Sequence, residues 1–174
     1  MSLPHENALL VSRRVLRALV VINVVYGLAI LVLLVASLVA EDVVMGALGV
    51  RPAADREVMV RGMRLVALVG ILAVPLTHLI LKRLLSIVET VRAGDPFIIA
   101  NARRLQTIAT TLLGIQLLHL VIGAIAARTQ SEVQQLDIDW SFSITPWIAV
   151  LLLFVLARVF EHGARMRADL EGTV

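Results

Sequence analysis

The sequence predicts an all-α integral membrane protein: a four-helix bundle with both termini cytosolic and helical cytosolic extensions of spans two and four. Three observations lead there. The 174 residues are 59% hydrophobic and only 17% charged, against roughly 45–50% and about 25% in soluble domains. The mean hydropathy is +0.92, and with aromatics at 4% the apolar excess is Leu, Val, Ile and Ala, the residues of lipid-facing helices. The basic residues also divide unevenly between the two ends of the apolar runs, as they do in multi-pass proteins.

Residues 1–17 end in Arg13, Arg14 and Arg17 and read as a cytosolic lead-in helix. Residues 18–40 carry no formal charge over 23 positions. That length spans the hydrocarbon core and exceeds the about 7–15 residues of a signal-peptide apolar region, so the run is an anchor. Asn23 and Tyr26 are its polar exceptions. Residues 41–64, with mixed charge and Gly46, Gly49 and Pro52, form a tight external loop. The second span, 65–81, holds Pro75, which predicts a kink near Ile71 to Pro75. Residues 82–93 continue as an amphipathic helix, with Leu84, Leu85, Val88 and Val91 on one face and Lys82, Arg83, Ser86, Glu89 and Arg92 on the other.

A cytosolic turn at 94–104 follows. Gly94 suits the left-handed position that ends a helix, Asp95 suits an N-cap, and Pro96 suits a first helical position. Span three, 105–127, contains Thr107, Thr110, Thr111, Gln116 and His119, with Gly123 and Ala127 as a small-xxx-small pair. An acidic external loop holds Glu132, Asp137 and Asp139, with Trp140 and Trp147 at interfacial positions. Span four is short, 144–157, with Arg158 snorkelling at its inner end. Residues 159–174 extend it as a helix in which Glu161 and Arg165 are spaced i, i+4.

Orientation follows from the charges. Arg13, Arg14, Arg17, Lys82, Arg83, Arg92, Arg103, Arg104, Arg158, Arg165 and Arg167 fall on one side, against Arg51, Arg56, Arg61, Arg64 and Arg128 on the other. The richer side is cytosolic, which puts both termini in the cytosol, and no nucleic-acid binding is needed to explain the net charge of +3.

The chain has no cysteine, which removes disulfides, thiol relays and cysteine metal sites. The spans hold no Asp, Glu, Lys or Arg between their boundaries, so the embedded acid of a cation-coupled exporter is missing. His78 and His119 sit at different depths, about 4–5 Å and about 21 Å from the inner ends of their spans at 1.5 Å per residue. They read as bundle contacts and not as ligands of one metal. No catalytic residue, metal or cofactor is expected. The carbonyl of Ile71, freed by Pro75, is expected to pair with the Gln116 amide at similar depth or with a water, and Asn23 with His78. Transport or ligand binding through a lining of Asn23, Thr77, His78, Gln116 and His119 is the alternative function. Close helix contact at Gly123 also permits a homo-oligomer.

The turn G-D-P-F-x-x-x-N-x-R-R-L at Gly94 to Leu105, the tail V-F-E-H-G-A-R-M-R-A-D-L-E-G-T-V at Val159 to Val174 and the four spans together resemble the bacterial membrane proteins catalogued as domain of unknown function 2975. The resemblance extends over essentially the whole chain. It departs at Ala100, where an acidic residue is expected before Asn101. It implies no catalytic activity, and it implies a neighbour, since members are often encoded beside a very small helix-turn-helix DNA-binding protein. The expected device is a membrane protein that binds and sequesters such a regulator at its inner face, besides its contact with membrane lipid. The expected partner surface comprises Asp95, Pro96, Phe97, Ile98, Asn101, Arg103, Arg104, Arg165 and Arg167. Phe97 to Ile99 are expected either in the lipid interface or on the 82–93 helix, or else in a docking groove.

Overall fold

A computed structural model describes residues 4–48, 56–129 and 143–171. Five helices follow in order: α1 Pro4–Val39, α2 Glu41–Ala47, α3 Arg56–Arg92, α4 Ile99–Thr129 and α5 Thr145–Glu171. All except α2 are long and apolar enough to cross a membrane. Each matches one expected span to within a residue and runs on well beyond it at one end or both. The polar extensions beyond spans two and four are thus continuous with α3 and α5. The acidic loop residues Glu132, Asp137 and Asp139, and Trp140, lie outside the described residues.

The long helices pack in series, α1 on α3, α3 on α4 and α4 on α5, with α2 folded back on α1. Among the described residues no extensive packing joins α1 to α5, so the bundle is an open row with α3 and α4 at its centre. Burial follows that order. Ala102, Leu105, Ile108, Ala109 and Ala126 of α4 are buried, whereas Val21, Val25, Leu28 and Val32 of α1 are exposed. In α4 the buried small partner of Gly123 is Ala126, one turn on, while Ala127 faces outward.

α1 meets α3 where side chains are smallest. A Cβ built on Gly27 would lie 2.8 Å from Val74 Cγ1, and one on Gly70 would lie 3.5 Å from Ile30 Cδ1. One turn before Gly27, the Asn23 amide donates to the Val74 carbonyl at 3.1 Å. This corrects the expected polar pairs. Asn23 reaches the carbonyl next to Pro75 and not His78, and no hydrogen bond links Gln116 to Ile71 among the described residues. The reason is register. Val74 lies four residues, about 6 Å, deeper than His78, so the two helices are offset from the charge boundaries used to align them. α3 runs through Pro75 as one helix.

The far end, opposite the 94–104 turn, is locked separately. α1 stops at Val39 because Ala40 leaves helical geometry (φ −133°, ψ 55°), and Glu41 and Asp42 then occupy the first turn of α2, where acids oppose the helix dipole favourably. Met45, Met59 and Val60 are buried together beneath α2. Arg64 clasps this corner by donating to the Ser37 carbonyl, to Ser37 Oγ at 3.3 Å and to Glu41 at 2.9 Å. Arg56 pairs with Asp42 at 2.7 Å. Arg64→Ala is expected to destabilise the protein by about 1–2 kcal/mol, since Ser37 is buried and loses its charged donor. Thermal unfolding in detergent reads this, and Arg61→Ala, which removes only the exposed pair with Glu57, should change little.

Candidate functional site

The turn between α3 and α4 is built from local chemistry. Gly94 has φ +89°, the only positive value among the described residues. Its N–H reaches the Val91 carbonyl at 3.1 Å and that of Asp95 reaches Thr90 at 3.1 Å, the paired bonds of a Schellman cap. Pro96 then bars Asp95 from helical backbone. The chain stays non-helical until Ile99, so Asp95 does not cap α4 and Pro96 is not its first residue, as the sequence suggested. The first α4 bond runs from Asn101 N–H to the Ile98 carbonyl at 2.9 Å.

Asn101 ties the turn shut. It is fully buried, and its amide donates to the Pro96 carbonyl and to Thr90 Oγ1, each at 2.8 Å. Its oxygen accepts from Arg104 Nη1 at 2.8 Å, and Arg104 also donates to the Ser86 carbonyl at 3.1 Å. Thr90 passes its own proton to the Ile87 carbonyl at 2.8 Å. Both N–H groups and the oxygen of the Asn101 side chain are therefore engaged within the α3–α4 seam. Asn101 and Arg104 hold the turn together; of the residues expected to form a surface, these two are structural.

The outer residues of the turn face α5. Phe97 lies 5.2 Å, ring centre to ring centre, from Phe160 at a 38° tilt, and its Cδ1 would sit 3.2 Å from a Cβ built on Gly163. The absence of a side chain at Gly163 lets the ring approach. Phe97 thus packs on α5 while remaining 45% exposed. Asp95 pairs with Arg167 at 2.6 Å, so turn and tail meet through one apolar and one ionic contact. At the same end Arg13 of α1 reaches Glu89 of α3 at 3.4 Å.

Two open grooves flank Arg158 of α5. The first, of about 660 Å³, is apolar and lined by Phe97, Val155, Val159, Gly163 and Met166, with Arg158, His162 and Arg167 at its edge. The second, of about 820 Å³, lies between α4 and α5 and takes in Arg103, Gln106, Glu161 and Arg165. Glu161 accepts from Arg158 at 3.2 Å and from Arg165 at 2.6 Å. Pro96 and Ile98 are half-buried in the turn.

Among the expected interior polar groups, Gln116 is buried, and His119 is on the exposed side of α4. His78 Nδ1 is buried without a hydrogen-bond partner. Sequence reasoning missed Ser86, Thr90, Phe160, Gly163 and Met166. The i, i+4 spacing of Ser86 and Thr90 at the end of an amphipathic stretch was the available sign for two of them. For the others the sign was a phenylalanine followed three residues later by glycine. Comparison with protein-family models, curated proteins and solved structures finds no match for this chain.

Proposed function

We propose that this is a membrane-embedded regulatory protein of the bacterial inner membrane, with both termini cytosolic, that binds and sequesters a small helix-turn-helix transcription regulator at its inner face. The observation that carries the proposal is the apolar groove of Phe97, Val155, Val159 and Met166, edged by Arg158 and Arg167. Apart from Val155 and Arg158 it is built from the turn and the tail, the two stretches on which the family resemblance rests. An apolar channel of this kind suits the apolar face of an amphipathic helix. Holding the regulator there keeps it from DNA, and a change in helix packing that moves the turn against α5 would release it. The proposed activity is binding, with no catalytic step and no cofactor.

Wild-type protein purified from its native host in mild detergent should carry a small DNA-binding protein. Met166→Asp places a charge in the groove at a residue 52% exposed, and recovery of the partner should fall at least about tenfold, as expected for a buried anchor at an interface. Phe97→Asp should act likewise. Equal recovery with wild type and with both variants, all melting normally, would reject the groove as the docking site.

The alternative, ligand binding or transport through the bundle interior, has one observation in its favour, the unpartnered Nδ1 of His78. It is the weaker reading, because Asn23 is already engaged with α3.

A further inference from the structure

The cleft between α4 and α5 has a composition that the docking groove lacks. Arg103, Arg158 and Arg165 line it with a single carboxylate, Glu161. That carboxylate is shared by Arg158 and Arg165. Arg103 has neither an ion pair nor a hydrogen bond from its guanidinium among the described residues, so the cleft keeps a surplus of positive charge. Ile99, the first residue of α4, also borders it. Unsatisfied N–H groups and the positive end of a 31-residue helix add to the same field. The floor is made by Ala102 and Ala157, both buried and both small, and this is why the space is open.

The two ends of the cleft differ. α4 and α5 run in opposite directions, so Gln106, Phe154 and Val155 mark the end nearer the apolar spans, and Ile99, Glu161 and Arg165 the end nearer the turn. From Ile99 to Gln106 the cleft covers about 10 Å of helix, comparable with the roughly 5–7 Å headgroup layer on each side of a bilayer. An anion of that depth, charged at one end and continuous with hydrocarbon at the other, is a phospholipid.

We propose that this cleft binds one anionic phospholipid, its phosphate held by Arg103, Arg158 and Arg165 and its acyl chain passing Phe154 and Val155 into the bilayer. The proposal rests on the membrane placement given above and does not require the transcription-regulator partner, although Val155 and Arg158 border both spaces. A free phosphate would engage the same arginines but gain nothing from the apolar end.

The test is native mass spectrometry of the full-length protein released from detergent micelles, with phosphatidylglycerol and phosphatidylcholine of identical acyl chains offered together. One phosphatidylglycerol should be retained in preference to phosphatidylcholine, and excess inorganic phosphate should not displace it. Arg103→Gln should reduce the preference about fivefold, the scale of one basic residue at an anionic surface. Arg83→Gln, an exposed basic residue of α3 outside the cleft, should leave it unchanged.

Displacement by inorganic phosphate would overturn the lipid assignment, and so would equal retention of the two lipids. An equal loss in the Arg83 and Arg103 variants would do the same, because it would show only a diffuse surface attraction. Release of the protein from membranes by alkaline washing would identify failure of the membrane placement itself. Failure of the docking reading appears separately, in the Met166 and Phe97 variants.

Discussion

Asn101→Ala should lower the stability of the detergent-solubilised protein by about 3 kcal/mol, more than any change at the exposed residues of the same turn. The substitution removes both donors and the acceptor of a fully buried side chain. Pro96 loses its donor, Thr90 Oγ1 loses one, and Arg104 keeps only the Ser86 carbonyl. Each buried polar group left unpaired costs about 1–3 kcal/mol. The total stays at the bottom of the summed range because Thr90 retains its bond to Ile87 and Arg104 is half-buried and can reach water. Asp95→Ala, in contrast, breaks an ion pair whose side chains are 51% and 44% exposed, worth less than about 1 kcal/mol. Thermal unfolding of the two variants side by side decides the matter. Equal shifts would mean that the Asn101 network does not hold α3 to α4.

Enlarging Gly27 should separate α1 from α3. In an isolated helix Gly→Ala gains up to about 1 kcal/mol, but here the new Cβ lies 2.8 Å and 3.1 Å from the two methyl carbons of Val74. Val is stiff at χ1 and cannot swing away within its helix. Backbone displacement is the remaining response, and overpacking of that kind costs about 1–3 kcal/mol. It would also stretch the Asn23 bond to the Val74 carbonyl, one turn away. Gly27→Leu should therefore be strongly destabilising, Gly27→Ala less so, and Gly27→Ala with Val74→Ala should recover most of the loss. Because the chain has no cysteine, a pair introduced across α1 and α3 gives a clean cross-linking readout. Unchanged cross-linking in Gly27→Leu would contradict close contact at this point.

The distinction between what was readable in the sequence and what was not follows distance along the chain. The four apolar helices announce themselves through charge-free runs, and the 94–104 turn through Gly94 and Pro96, because backbone preference is set by each residue and its neighbours. The capping roles of Asp95 and Pro96 were misjudged because the chain runs three residues further before α4 begins at Ile99, which leaves Asp95 too far from its first turn and free to pair with Arg167. Phe97 was legible as a residue needing cover, but its cover, Phe160 and Gly163, comes from α5. The Asn23 contact was placed one turn too shallow. Span boundaries drawn from charge do not share a common plane, since long basic side chains extend along the helix before meeting water. The arginine-lined cleft was only partly visible: Arg103 and Arg165 stood out as basic, but the small floor of Ala102 and Ala157 acquires meaning only when α4 and α5 are paired.

The serial order of helix packing also bears on how the protein is made. Each long helix has its main partner next to it in the order of synthesis, so α3 meets an α1 already made, α4 meets α3, and α5 completes the row by docking on α4. No long helix must wait for a distant segment before burying its face, and contacts between neighbours along a chain form quickly. The exception is the latch of Phe97 and Asp95 onto α5, which closes only after the last helix arrives. The turn thus closes last of these contacts, and the groove exists only once α5 has docked.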